Sequence, residues 1–290
     1  MINANFFWHG PSLSLYEWAC LSSFVRNGIE VRLHTFNLNL PVPEGVRLID
    51  AGLLAKVEEV TAFNQGGHKA SIAAFTDIFR YRVLGREPGW WFDTDVFCLK
   101  GPDHYRALEE QSRGLLVGFE EKEKVNGAVM YVSDTAIARE LEQRANAKGL
   151  TFEWGAIGPG LVTEFLAEQP GKVTTLSEKY FYPVHYLETV RFFRPEEKAG
   201  CERDAADAVC VHLWNEFLRR WRVPKNILPC EGSYLASLFA KADAPVRMPP
   251  ALPLDTLESL HYGGEIGRLG HTALRWIKGL KQMKESVVGR

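Results

Sequence analysis

Residues Ala4 to Phe36, ANFFWHGPSLSLYEWACLSSFVRNGIEVRLHTF, set the fold class. The apolar run ending Phe6-Phe7-Trp8 is closed by His9-Gly10-Pro11 and reads as a buried first strand entering a loop. Ser14 and Glu17 stand at capping-box spacing. Leu15, Trp18, Leu21 and Val25 then recur at helical intervals, and Gly28 supplies the stop. Ile29 to Phe36 alternates like a strand. A strand, a helix of crossover length and a second strand predict a parallel pairing and an α/β layer fold.

Outward from this unit, the chain has 290 residues, enough for one large or two small domains. Apolar residues make up 46 % and charged residues 24 %, with seventeen Phe and eight Trp, a globular balance that excludes disorder and fibres. The net charge of −2 gives no basic field for nucleic acid. Five scattered cysteines without a C-x-x-C pair point to a reducing compartment and to neither zinc nor a redox motif. The N-terminal residues lack a signal-peptide pattern, and no apolar run approaches the roughly 18 residues of a membrane span, so a cytoplasmic protein is expected. Residues 264–290 are different: Arg268, Arg275, Lys278, Lys281, Lys284 and Arg290 alternate with Leu269, Leu274, Trp276, Ile277 and Leu280. The expected organisation is a domain over 1–262 and a basic amphipathic helix over 263–290. That helix either contacts an anionic membrane peripherally or docks on its own domain.

Chemistry concentrates between Lys69 and Val96, KASIAAFTDIFRYRVLGREPGWWFDTDV. Lys69 to Leu84 is helical by spacing, with Ile72, Phe75, Phe79 and Val83 as its stripe. After the Pro88-Gly89 break, Trp90-Trp91-Phe92 reads as a strand running into Asp93-Thr94-Asp95. In an extended chain Asp93 and Asp95 face the same side, and two carboxylates so close call for a cation between them. Hard carboxylate oxygens suit Mg2+ or Mn2+ bridging to substrate phosphates, at the strand edge where α/β sheets bind ligands. Asp77 and Arg80 share one face of the preceding helix, either as a surface ion pair or as ligand contacts.

Together these residues resemble the D-x-D sugar-binding region of glycosyltransferases with the GT-A fold. The likeness is to the family of bacterial and fungal α-mannosyl- and α-galactosyltransferases, with clostridial-toxin glucosyltransferases as relatives. Asp77, Arg80, Tyr81, Leu84, Gly89, Trp91, Asp93 and Asp95 fall on its pattern, and Pro88 replaces a usual glycine. The resemblance implies a Rossmann-like mixed central sheet flanked by helices. It also implies a metal-dependent, retaining transfer of a hexose from a nucleotide sugar to a saccharide or lipid-linked acceptor, with UDP-galactose or UDP-glucose ahead of GDP-mannose. Asp77 and Arg80 would hold the donor sugar and diphosphate. Asp93 and Asp95 would form the catalytic pair, holding metal and ribose.

Four further segments match this family. Phe7 and Trp8 end its first strand, Trp8 stacking on the base unless it is a core aromatic. Asn126-Gly127-Ala128 resembles a turn lining the sugar pocket, and Gly158-Pro159-Gly160 a turn on the acceptor side. In Val211-His212-Leu213-Trp214, His212 resembles the last metal ligand and Trp214 a diphosphate contact. Two other readings stay open. Asp93 and Asp95 after an apolar strand also resemble the first motif of aspartyl-nucleophile phosphatases, and a non-catalytic sugar-nucleotide-binding protein would share the motif.

Overall fold

The computed structural model describes residues 2–67, 69–242 and 250–266. In chain order these form β1 (Asn3–Trp8), α1 (Leu15–Arg26), β2 (Glu30–Thr35), β3 (Val46–Asp50), β4 (Asn64–Gln65), α2 (Ile72–Leu84), β5 (Gly89–Phe92) and β6 (Val96–Cys98). There follow α3 (Pro102–Glu109), β7 (Leu115–Glu121), β8 (Lys124–Val132), α4 (Thr135–Ala147), β9 (Thr151–Phe152), α5 (Pro159–Glu168) and β10 (Val173–Leu176). The last elements are α6 (Lys198–Asp204), β11 (Cys210–His212), α7 (Asn215–Trp221) and α8 (Tyr234–Phe239), and residues 254–266 are helical.

Among the described residues the central sheet has seven strands in the order β10-β7-β8-β5-β1-β2-β3. The opening unit behaves as the sequence predicts: β1 pairs in parallel with β2 from Asn3 opposite Glu30 to Trp8 opposite Thr35. Ser14 and Glu17 form the capping box, Asn27 caps the far end of α1, and Gly28 turns the chain at φ +76, where a side chain would be strained. The sheet is mixed because β8 runs antiparallel to both β5 and β7. The chain leaves β1 toward β2 on one side and reaches β5 on the other. The carboxyl ends of β1 and β5 therefore flank a topological switch point, where open α/β sheets bind ligands.

Both sheet faces are covered. Trp90 and Trp91, adjacent in β5 and fully buried, point to opposite faces and enter separate cores. Each such aromatic contributes on the order of 2–3 kcal/mol. On one face Phe6 and Phe92 pack on Phe24 of α1, with Trp90 stacked on Phe92. On the other, Phe75, Ile78 and Phe79 of α2 pack on Phe7 and Trp91.

Three local features matter for the site and its surroundings. Helix α2 begins at Ile72 because Ser71 caps it, accepting from Ala74 N–H, after Ala70 in the left-handed region. Ile72 consequently leaves the apolar stripe and is 43 % exposed. Strand β11 is short and lies outside the central sheet: it pairs antiparallel with β6 in a separate ribbon, His212 opposite Val96. Finally, helix 254–266 runs through position 262 without a break and docks on Trp221, whose indole donates to Glu265 and meets His261 edge-on. The remainder of the basic segment, 267–290, lies outside the described residues.

Candidate active site

A cavity of about 820 Å³ opens at the switch point. Its walls bring together Phe7, Trp8, Asp77, Arg80, Asp93, Asp95, Asn126, His212 and Trp214, residues spread over most of the chain. Gly158 stands just behind this wall, against the Asp77 carboxylate.

Asp93-Thr94-Asp95 is a turn rather than a continued strand. Extended structure stops at Phe92, and Val96 N–H bonds back to Asp93 C=O at 3.0 Å, so strand alternation does not aim the two carboxylates. Separate partners do. Asp93 accepts from Arg80 Nη2 at 3.0 Å and from the Trp91 indole at 2.8 Å. Asp95 Oδ2 faces His212 Nε2 at 3.1 Å and accepts the main-chain N–H of Asn215 at 2.8 Å.

Asp77 and Arg80 are buried, which removes the surface-pair reading. Arg80 Nη2 lies 3.1 Å from Asp77 and bridges it to Asp93, and its guanidinium lies 5.7 Å from the Trp91 ring centre. A buried guanidinium needs such partners, since desolvation otherwise exceeds its attraction. Two glycines make room for this triad. A methyl group at Gly127 would collide with Arg80 Nη1, and one at Gly158 would lie 2.5 Å from Asp77 Oδ2. The two turns matched at 126–128 and 158–160 thus permit backbone to approach charged side chains closely. Asn126 itself is spent on structure, accepting from Ala128 N–H at 2.7 Å and donating to the buried Glu120 carboxylate.

Burial pushes Asp77 up to about 6, with Asp93 adding repulsion and Arg80 only partly opposing it. Burial acts on Asp95 in the same direction, yet the His212 imidazole and the Asn215 N–H hold it down at about 2. For His212 desolvation disfavours the charged ring, and Asp95 outweighs it, raising the pKa. Asp95 Oδ2 and His212 Nε2 are both metal-donor atoms, and with any shared proton released they would hold a divalent ion. Asp93 is engaged by Arg80 and Trp91, and among the described residues no three His, Cys, Asp or Glu side chains form a ready cation cluster.

Trp8 ends β1 at the cavity with Gly10 packed against its indole. Phe7, on the opposite face of the strand, is mainly core, 4.8 Å from the Phe79 ring centre. His212 and Trp214 do not alternate along a strand. Trp214 sits in the left-handed region at φ 55, starts α7 and lies 4.1 Å from the imidazole between ring centres. A large side chain held there stores strain of the kind that gathers at functional sites. Among the described residues seven buried polar side-chain atoms lack a partner, and four of them, on Trp8, Arg80, His212 and Asn215, belong to residues lining this cavity. That clustering is what a ligand site leaves behind.

Sequence reasoning missed Glu17 as more than a cap. Its carboxylate is fully buried, pairs with Lys225, and accepts from Asn215 Nδ2 at 3.0 Å. The only local sign was its capping spacing, and contact with Asn215 across 198 residues has none.

Residues 151–229 match the alpha 1,4-glycosyltransferase conserved region, a little over a quarter of the chain. This segment carries Gly158, His212, Trp214 and Asn215, the side of the site facing the Asp77 to Asp95 motif. The matched region is one that glycosyltransferases carry, and the mixed sheet with the D-x-D turn at its carboxyl edge agrees with the GT-A fold expected from the sequence. No curated protein matches the sequence. Solved structures similar to the chain include the galactosyltransferase LgtC with donor and acceptor sugar analogues, at 12 % identity and TM-score 0.47, covering 86 % of this chain and 98 % of that one. A glycosyltransferase involved in glycosylation of the major capsid of PBCV-1 is similar at 13 % identity and TM-score 0.44, with 73 % and 94 % covered. Mouse xyloside xylosyltransferase 1 in its apo form is similar at 11 % identity and TM-score 0.41, with 73 % and 96 % covered.

Proposed function

We propose that this chain transfers a hexose, with retention of anomeric configuration, from a nucleoside diphosphate sugar to a saccharide or lipid-linked saccharide. UDP-galactose and UDP-glucose are the preferred donors. The convergence of Asp77, Arg80 and Asp93 with Asp95 and His212 in one cavity, with Trp8 at the end of β1, carries this reading. Trp8 offers an aromatic face to the base. Asp77, once ionised, accepts sugar hydroxyl hydrogen bonds, and Arg80 supplies donors to sugar or phosphate oxygens while keeping Asp77 and Asp93 in place. Asp95 and His212 would hold Mn2+ or Mg2+, and such an ion supplies neutralisation of the charge that develops on the departing diphosphate. Retention and the preferred donors rest on the resemblance of the Asp77 to Asp95 motif. Asp93, doubly hydrogen-bonded, suits positioning rather than attack on phosphorus. Calorimetry of UDP with Mn2+, with EDTA, and with Asp95→Asn tests the reading. Binding that needs both the ion and Asp95 supports it, and ion-independent binding contradicts it.

Among the described residues no helix is long and apolar enough to cross a membrane. A cytoplasmic setting with peripheral membrane contact through residues 264–290 completes the proposal. Removing the tail should release the protein from membrane fractions, and unchanged partitioning would end that part of it.

A further inference from the structure

The hairpin of β7 and β8 reaches the cavity through Glu120, Lys124 and Asn126, and its register breaks twice. Val117 stands opposite Met130, yet the next rung sets Gly118 opposite Asn126, so Gly127, Ala128 and Val129 have no opposite in β7. Nearer the turn, Phe119 stands opposite Val125 and Glu121 opposite Lys124, which leaves Glu120 as the extra residue of a β-bulge. Bulges beside a site re-aim a side chain that regular alternation would send elsewhere. Here that side chain is a carboxylate. Glu120 is 7 % exposed, whereas Phe119 and Glu121 on either side of it are half-buried.

Each oxygen of this buried carboxylate has its own partner. Oε1 pairs with Lys124 Nζ, which supplies the counter-charge, and Oε2 accepts from Asn126 Nδ2. An ionised carboxylate only accepts, so it takes the NH2 end of the Asn126 amide and leaves Oδ1 for the Ala128 N–H at 2.7 Å. Ala128 C=O in turn accepts the Asp93 N–H at 2.8 Å. Gly127, between these two anchored residues, is the glycine whose backbone lies against Arg80. A chain of hydrogen bonds that starts at Glu120 therefore holds the surplus backbone of β8 against the D-x-D turn and the guanidinium bound to it. Resting on the transferase reading above, we infer that Glu120 is a positioning residue of this site: by fixing which way the Asn126 amide faces, it sets the 126–128 turn on which Asp93 and Arg80 are aligned. The reach of the side chain to Asn126 does this, and its charge is secondary.

Reach and charge are separated by comparing the native chain with Glu120→Gln, which keeps an acceptor at the same distance, and Glu120→Asp, which keeps the charge one methylene short. Glu120→Ala removes both, and if it does not fold the other two variants carry the test. Turnover is read as UDP release from UDP-galactose and UDP-glucose with Mn2+. A second readout needs no turnover: the indole 15N–1H resonance of Trp91, whose N–H donates to Asp93 at 2.8 Å, assigned with Trp91→Phe. In Glu120→Ala and Glu120→Asp, kcat/KM should fall between about tenfold and a hundredfold and the Trp91 resonance should shift, while Glu120→Gln stays near the native chain in both. Recovery in Glu120→Asp with loss in Glu120→Gln, or a Trp91 resonance and a kcat/KM that stay native in Glu120→Asp and Glu120→Ala, overturns the inference. If the Trp91 resonance follows the expected pattern but the native chain consumes no sugar nucleotide, the positioning role stands and the transferase reading falls. If sugar nucleotides are consumed and the resonance ignores Glu120, the reverse holds.

Discussion

Asn215 links two carboxylates that are far apart in sequence: its main-chain N–H donates to Asp95 at 2.8 Å, and its side chain donates to Glu17 at 3.0 Å. Lys225 pairs with Glu17, so a half-buried pair between α1 and the segment after α7 helps fix the start of α7 under the D-x-D turn. Asp95 is thereby aimed at His212 by elements from three parts of the chain.

Glu17→Gln leaves Lys225 without its partner and weakens the hold on Asn215. A destabilisation of about 1 kcal/mol is expected, since Lys225 can turn to solvent and the main loss is the weakened hydrogen bonding of the buried Glu17 side chain. The apparent Kd for Mn2+ should rise as well. Thermal unfolding together with metal titration checks both, and a stable variant with native metal affinity would contradict the link.

Gly127→Ala and Gly158→Ala place a methyl group against Arg80 and Asp77 respectively. Each substitution should lower kcat/KM by about a hundredfold, while overpacking costs about 1–3 kcal/mol of stability. Steady-state kinetics alongside denaturant unfolding separate the two effects. Full activity in either variant would show that the close approach is dispensable.

Asp77 titrates at about 6 in the fold against 3.8 as its ordinary value. Folding therefore favours its protonated form. This contribution to stability is fully present below 3.8 and is lost as pH rises through about 6. Relative to the native chain, Asp77→Asn should gain up to about 3 kcal/mol of stability across that window and level off above it. Donor affinity should move oppositely, weakening as pH falls below about 6 and the carboxylate is protonated. Urea unfolding and donor titration over this range check the signs. A pH-independent difference between native and variant stability would contradict the assignment.

Trp8→Ala should weaken UDP binding by about tenfold or more, with Trp8→Phe intermediate, because a base loses its aromatic support. Competition with free UDP reads the effect. Equal affinities would return Trp8 to a core role.

Local signals carried much of this reading. The capping box at Ser14 and Glu17, the turn at Gly28 and the apolar strand before Asp93 depend on neighbours within a few residues, and the structure keeps them. The spacing from Asp77 to Asp95 likewise marked residues that converge. The rest depends on contacts with no sequence spacing. Extended alternation at Asp93 gives way to a turn because Arg80, Trp91, His212 and Asn215 each hold a carboxylate. Asp77 and Arg80 read equally well as a surface pair until α5 and β8 close over them with glycines at 158 and 127. His212 resembles a metal ligand in the sequence, and only the pairing of β11 with β6 shows how it meets Asp95.

Metal-dependent turnover of a sugar nucleotide tests the central claim most directly. UDP- and GDP-sugars are screened for nucleoside diphosphate release with Mn2+ and with EDTA, for the native chain and for Asp95→Asn. The account predicts release from one donor, dependent on the ion and lost in the variant. Release that persists in EDTA or in Asp95→Asn, or cleavage of simple phosphate esters with no sugar nucleotide consumed, would contradict it.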